Sequence, residues 1–519
     1  MTQKAPMLGG PPSMEILPAL TRRDFLRSAG GITFLALIPV GRGLFAAPPP
    51  LAELPIFTAL PYVQPGPEGR LVEGAETARL AWQTLPTPAD FTAEFGRDER
   101  YGRRAEIART ERAYDGKGEK DGRFNYVCAF AGLALGTEYR YRVRGNGETI
   151  AEGYFTTRQP RGRPCRFVAF GDNSYGDISD RAIAYQAYRA RPDFIMNTGD
   201  NVYESGLDDE YSRYFFPIYN ADVAGPRLGA PLLRAVPFYT VLANHDVQAQ
   251  DPATRHACAD FDANPDSLGY YTNFHFPLNG PAAPSQPTVV RGGAAPLGNF
   301  RACAGRRFPA MANYSYDFGD AHFLCLDSNV YIDPTDPALQ RWIDADLAAT
   351  DARWRFVVYH HPAFNVGAEH CNQQHMRALC PLFEKHGVAF VLSGHEHNYQ
   401  RTRPLRFAPR DLSRARLAQE KSRLVPGDFT LDTAFDGKRR TRPDGIIHLT
   451  TGAGGKHLYD AQYNNQPARW TLAADGHVPY VAQMITDRHS LTVFDLRGDE
   501  LLLRQIDERG HEIDRLRVT

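Results

Sequence analysis

No two of the seven cysteines are spaced as C-x-x-C, which excludes a zinc ribbon and a thioredoxin-type redox pair. Charge of one sign is missing as well. Against 59 Lys and Arg stand 60 Asp and Glu, a formal net charge of −1. That balance excludes a strongly basic nucleic-acid binder and a polyacidic tail, so no nucleic-acid partner is expected. A bilayer span needs about 20 consecutive apolar residues. The apolar stretch from about Ala29 to Val40 is too short for one, so no stable membrane anchor is expected. No internal repeat is visible. What is present is a 519-residue chain, 43% hydrophobic and 23% charged. That is the composition of a globular protein, at a length that implies two or more domains.

The N-terminal stretch "TRRDFLRSAGGITFLALIPVGRGLFAA" places Arg22-Arg23 before the short apolar segment and small residues at Ala46-Ala47. It resembles a bacterial twin-arginine export signal. Residues 1–47 are therefore read as a signal peptide, cleaved near Ala46. The resemblance implies the twin-arginine translocation machinery as a partner and a periplasmic or secreted location.

Residues 50–158 read as all-β. "ARLAWQT" and "TEYRYRVRG" alternate, with Tyr139, Tyr141 and Val143 on one face. "LALGTEYRYRV" resembles the tyrosine-bearing strand of a fibronectin type III sandwich. "TTRQPRGRP" follows as the expected linker. From residue 165 the pattern changes to short apolar runs: "CRFVAF", "DFIMNT", "PFYTVLA", "HFLCLD", "RFVVY", "VAFVL" and "GIIHLTT". Runs buried on both faces suit the central strands of an α/β sandwich. Between them, "DPALQRWIDADLAAT" predicts a helix with Asp336 as N-cap and Pro337 at its first position. "HMRALCPLFEKHG" predicts another, carrying an internal proline and ending at Gly387. Residues 247–310 read as a long loop excursion, residues 405–443 as irregular.

Five of the apolar runs end in a group able to bind metal: "GDNS" (171–174), "GDNVY" (199–203), "NHD" (244–246), "HHPAF" (360–364) and "GHEH" (394–397). Sites in open α/β sheets form at the carboxyl ends of strands, so these groups are expected to meet. In this order they resemble the calcineurin-like metallophosphoesterases. Most of those read D-x-H in the first motif; this chain reads Asp172-Asn173-Ser174 and supplies Tyr203 instead. That exchange resembles the purple acid phosphatases. "ANYSYDFGDAHFLCLDS" and "TTGAGGKH" are also similar to that family. One departure is Ala243, where the family has glycine.

The resemblance implies an α/β fold: a fibronectin type III-like β-sandwich at 50–158, then a metallophosphoesterase α/β sandwich of two mixed sheets flanked by helices at 165–519. It implies one metal on Asp172, Tyr203 and His397, and a second on Asn244, His360 and His395, with Asp200 bridging. Carboxylate and phenolate suit a hard ion such as Fe³⁺, and the neutral second set suits Zn²⁺, Mn²⁺ or Fe²⁺. The expected activity is hydrolysis of a small phosphoester by a metal-held hydroxide, as in an acid phosphatase. A phosphodiesterase or phospholipase-like hydrolase on the same site, and a non-catalytic exported binding protein, are the alternatives. His245 matches the family's acid/base histidine, with Asp246 able to orient its ring. His370 competes with His375 for a substrate-contacting role. His361 is expected behind the ligands, and His322 as a packed strand histidine. Cys165 and Cys325 are read as buried thiols, with Cys258–Cys303 and Cys371–Cys380 as pairs that an oxidising compartment would join.

Overall fold

The computed structural model describes residues 57–86, 90–113, 122–247, 258–282, 288–412 and 423–519. Residues 1–47, expected to be a signal peptide, lie outside them. Every described residue belongs to one unit, Ala47–Thr519.

The first part of that unit is β-rich, as its alternation predicts. One four-stranded antiparallel sheet runs in the order Phe57–Pro65, Glu76–Thr84, Arg123–Leu133, Ile107–Arg112. A second runs Arg103–Ala105, Phe91–Gly96, Glu138–Gly145, Glu148–Thr156. Tyr139, Tyr141 and Val143 all point inward. They join a core in which Trp82 stacks on Tyr126 at 5.4 Å. Tyr139 Oη accepts from the Ala134 N–H at 3.1 Å, pinning the turn that leads into its own strand.

The arginine-rich connection is no loose tether. Arg158 is buried, pairs with Glu76 at 2.7 Å and donates to the carbonyls of Gly69 and Asp317. Arg161 reaches the Asp317 carboxylate at 3.0 Å. Guanidinium groups supply several donors in a planar fork, so the segment is strapped down on both sides.

Two mixed sheets follow. The six-stranded one has the order Phe238–Thr240, Phe194–Asn197, Cys165–Phe170, Ser490–Arg497, Glu500–Asp507, Glu512–Val518, with its first three strands parallel. The seven-stranded one has the order Tyr314–Phe318, Ala321–Cys325, Trp354–Val358, Phe390–Ser393, Ile447–Thr451, Tyr399–Thr402, Val481–Ile485. Its second to fifth strands are parallel. The sheets meet through aromatic rings: Phe167 stands edge-on to Phe323 at 5.1 Å and to Phe356 at 5.2 Å. The helix Pro337–Ala348 buries Leu339, Ile343 and Leu347 against the outer side of the seven-stranded sheet. Asp336 caps it, accepting from the Ala338 and Leu339 amides, as the sequence predicts.

Other segments differ from expectation. "HMRALCPLFEKHG" breaks into a 3₁₀ turn His375–Leu379 and a helix Cys380–Lys385, because Pro381 fits only a first turn. The 247–310 excursion contains the helix Ala294–Ala304, and the 405–443 stretch forms a hairpin of Leu405–Pro409 with Gly427–Leu431. Cys165 and Cys325 are buried thiols. Neither expected disulfide forms. Cys303 is a thiol that takes a hydrogen bond from Asn125 Nδ2 at 3.1 Å, and Cys371 and Cys380 are thiols too.

His322 does more than fill a strand. Fully buried, it lies 2.8 Å from Asp317 through Nδ1 and 2.8 Å from Asp346 through Nε2. Arg70 reaches both carboxylates. Burial favours neutral imidazole, but the two carboxylates outweigh it and raise the His322 pKa. A raised folded-state pKa gives stability that is complete below the unfolded value of about 6.5 and lost as pH climbs through the folded one. Removing one partner of such a pair costs about 3–5 kcal/mol. H322A should lose that much in urea unfolding at about pH 6, and less in alkaline buffer. A loss independent of pH would mean that packing alone is at stake.

Candidate metal centre

Each site residue sits just past the carboxyl end of a parallel strand. Asp172 follows Cys165–Phe170, Asp200 follows Phe194–Asn197 and Asn244 follows Phe238–Thr240, all in the six-stranded sheet. His360 follows Trp354–Val358, and His395 and His397 follow Phe390–Ser393, in the seven-stranded sheet. The two sheets thus present their ligands to each other across one end of the sandwich. Asp172, Asp200 and His395 have φ of 59°, 51° and 68°, the left-handed region that residues with a Cβ avoid. Such strain costs roughly 1–3 kcal/mol per residue and is held where side chains must be aimed. Backbone also closes in tightly here. A Cβ on Gly394 would stand 2.5 Å from Asp172 Oδ2, and one on Gly452, in "TTGAGGKH", 2.7 Å from the same oxygen. Ala243 has an ordinary φ, which is why alanine serves where the resemblance led one to expect glycine.

The donor atoms converge. Tyr203 Oη lies 3.0 Å from Asp200 Oδ2, 3.2 Å from Asp172 Oδ1 and 3.2 Å from His397 Nε2. His397 Nε2 is 3.4 Å from Asp172 Oδ1. The same Asp200 Oδ2 also meets His360 Nε2 at 3.3 Å, and that nitrogen is 3.2 Å from His395 Nδ1. One ligand atom each from Asp200, His360 and His395 fits within 4.8 Å of the others. Two polar atoms of this set, Asn244 Oδ1 and His395 Nε2, are buried without a hydrogen-bond partner. Buried polar atoms are seldom left so, and an unpartnered Asn244 Oδ1 fits a ligand position. The imidazoles are oriented from behind: His360 Nδ1 is 2.8 Å from the Thr198 carbonyl, and His397 Nδ1 is 2.8 Å from that of His457. This is how metal-binding histidines are usually fixed.

The electrostatics show protons occupying the places that cations would take. Burial and the carboxylates of Asp200 and Asp172 push the Tyr203 hydroxyl well above its usual range. Burial by itself would lower His360, but Asp200 holds it protonated, up to about 9. For Asp200, burial opposes charge and is outweighed by His360 and His245, so its pKa falls below the usual carboxylate range. A metal entering here has to displace the protons of Tyr203 and His360. Metal affinity should therefore climb with pH, most steeply below about 9 where both groups hold protons, with protons released on binding. Calorimetry in two buffers of different ionisation enthalpy reads that release, and equal heats in both would contradict it.

His245 and His370 both border the centre. The His245 amide donates to Asp200 Oδ1 at 2.9 Å, and its Nδ1 is 2.8 Å from the Glu204 carbonyl. The expected orienting role of Asp246 fails: that carboxylate is buried and accepts from Asn201 and from the Ala243 amide instead. His370 lies with its ring centroid 3.9 Å from that of His395, and burial pushes its pKa down to about 4. Its rival His375 is fully buried and turns Nε2 to the Ser328 carbonyl at 2.8 Å. His361 lies behind the ligands, its ring centroid 4.3 Å from that of His395 and Nδ1 on Ser328 Oγ. Sequence reasoning missed Glu204, Lys456 and Tyr459. Tyr459 stacks on His397 at 4.0 Å. Lys456 pairs with Glu204 beside Tyr203. Glu204 follows directly on the quoted "GDNVY", and Lys456 lies inside the quoted "TTGAGGKH", which was the available signal.

Residues 165–399 match the family model described as calcineurin-like phosphoesterase. A metallophosphoesterase domain therefore occupies this part of the chain, with a cluster of potential metal ligands at its strand ends. Tartrate-resistant acid phosphatase type 5 of Sus scrofa is 27% identical over 263 residues, covering 45% of this chain and 64% of that protein. Purple acid phosphatase 17 of Arabidopsis thaliana is 24% identical over 240 residues, covering 45% and 62%. The chain thus spans less than two thirds of these relatives' length. Purple acid phosphatase PPD1 from yellow lupin (Lupinus luteus) seeds shares the fold, with a TM-score of 0.60 and 17% identity over 88% of this chain and 74% of that one.

Proposed function

We propose that the protein is a binuclear metallohydrolase of phosphate esters, most simply an acid phosphatase acting on phosphomonoesters. The observation that carries this reading is the convergence on Asp200: a phenol, a second carboxylate and His397 on one side, His360 and His395 on the other. Asp172, Tyr203 and His397 would hold Fe³⁺, and Asn244, His360 and His395 a divalent ion, Zn²⁺, Mn²⁺ or Fe²⁺, with Asp200 shared. When bound, such a pair lowers the pKa of water and neutralises phosphoryl oxygens.

The chain's own residues do the rest. With Nδ1–H donated to the Glu204 carbonyl, His245 keeps Nε2 for a proton that it delivers to the leaving oxygen. His370, neutral above about pH 4, is an uncharged hydrogen-bonding group beside His395, suited to orienting the ester. The β-rich part is read as fibronectin type III-like, supported by its strand order and by the Tyr139 hydrogen bond. Arg22-Arg23 supports export to the periplasm or beyond. Changing both to lysine should strand the precursor in the cytoplasm, and normal export of that variant would refute this.

The central test is metal analysis of the purified protein with rates on a panel of phosphomonoesters and phosphodiesters. Two metals per chain and preference for monoesters are expected. Two metals with faster diester cleavage would keep the site and change the substrate; no metal and no hydrolysis would reject the reading.

A further inference from the structure

Among the described residues, Lys456 is the one lysine whose ammonium is enclosed beside the candidate metal centre. It follows the glycines of "TTGAGG", and its backbone N–H donates to the Asp172 carbonyl at 3.0 Å. The residue is only 4% exposed. Nζ stands 3.4 Å from the centroid of the Tyr175 ring and 4.4 Å from that of Tyr203. Those rings are edge-to-face, 6.3 Å apart at 88°, so the cation rests in a corner made by two phenols. Its counter-ion is Glu204, whose carboxylate pairs with Nζ and whose carbonyl accepts from His245 Nδ1. Cations over aromatic faces attract more strongly when desolvated, and the Lys456 side chain is itself covered, although Tyr175 and Glu204 are partly open to water.

We propose that Lys456 is a positioning residue that sets the donor strength of Tyr203 toward its metal. The inference rests on the reading above that Tyr203 is a ligand. A positive charge over the ring lowers the energy of its filled π orbitals, and a phenolate so stabilised gives up electron density less readily. Transfer of charge from that phenolate to a ferric ion then needs more energy, so the visible band moves to shorter wavelength. Glu204 acts in the opposite sense by partly cancelling the cation. Tyr175 shares the same charge and keeps it in place.

Wild type, K456M, K456R and E204Q should each be compared metal-free and iron-loaded. In the metal-free proteins the ultraviolet difference spectrum of K456M against wild type should carry a tyrosine signal, which K456R, retaining the charge, should lack. In the iron-loaded proteins K456M should shift the visible band to longer wavelength. E204Q should shift it to shorter wavelength, and K456R should leave it near the wild-type position. Identical metal-free spectra for wild type and K456M, or an unmoved visible band in K456M, would overturn the proposal. A wild-type protein that takes up iron and shows no band would instead reject Tyr203 as a ligand, while the metal-free comparison, repeated in a Tyr175→Phe background, still decides whether Lys456 acts on the Tyr203 ring. Should K456M fail to fold, K456Q removes the same charge and gives the same comparisons.

Discussion

Asp200→Asn should lose both metals together and nearly all hydrolytic activity. The carboxylate lies between the two halves of the site, 3.0 Å from Tyr203 Oη and 3.3 Å from His360 Nε2. An amide keeps the shape and removes the negative charge. It also presents donors to atoms that expect an acceptor, among them the His245 amide at 2.9 Å. One charge at this point serves two cations, so the loss should be cooperative. Metal analysis of the purified variant reads it directly. Retention of one full equivalent of metal would show that Asp200 belongs to one half only.

His245→Ala should leave metal content unchanged and lower kcat by roughly 10²–10⁴, the range for general acid catalysis. The dependence on leaving group is the more telling result. Alkyl phosphates, whose alkoxide needs a proton, should show the full loss. Nitrophenyl esters, whose anion leaves unaided, should show little. His245 is suited to the task because its ring is partly exposed, anchored at Nδ1 by a backbone carbonyl, and tied through its amide to the shared carboxylate. An equal loss on both ester classes would make it a positioning group, with His370 the next candidate for the acid.

The candidate ligands were legible in the sequence because strand ends are. Short apolar runs mark buried parallel strands, and a polar, metal-competent residue two to four positions past the strand has to emerge at one edge of the sheet. Asp172, Asp200, Asn244, His360 and His395 each follow that rule. Other features depend on chain segments far apart in sequence. Nothing local to "TTRQPRGRP" says that Arg158 will find Glu76, 82 residues away. Nothing in "GDAHF" places His322 against Asp346. The roles of Asp246 and Lys456 were hidden for the same reason, since each is decided by a partner on a different loop. The Asp246 carboxylate looked available to its neighbour His245, but Asn201 and the backbone of Ala243 already hold it.

The aromatic layer between the sheets joins them along their length, whereas the ligand set joins them at one edge. Four of its members, Asp172, Asp200, Tyr203 and Asn244, follow the six-stranded sheet's parallel strands, and three, His360, His395 and His397, follow those of the seven-stranded sheet. A pair of ions bound there would act as a rivet, closing the sandwich at that rim and leaving the opposite rim to open first under heat or denaturant. Ions that bind only the folded state add stability in proportion to the logarithm of their concentration over Kd. The order in which the molecule comes apart would then depend on its cargo: hinged about the rim when loaded, and separating along the whole seam when stripped.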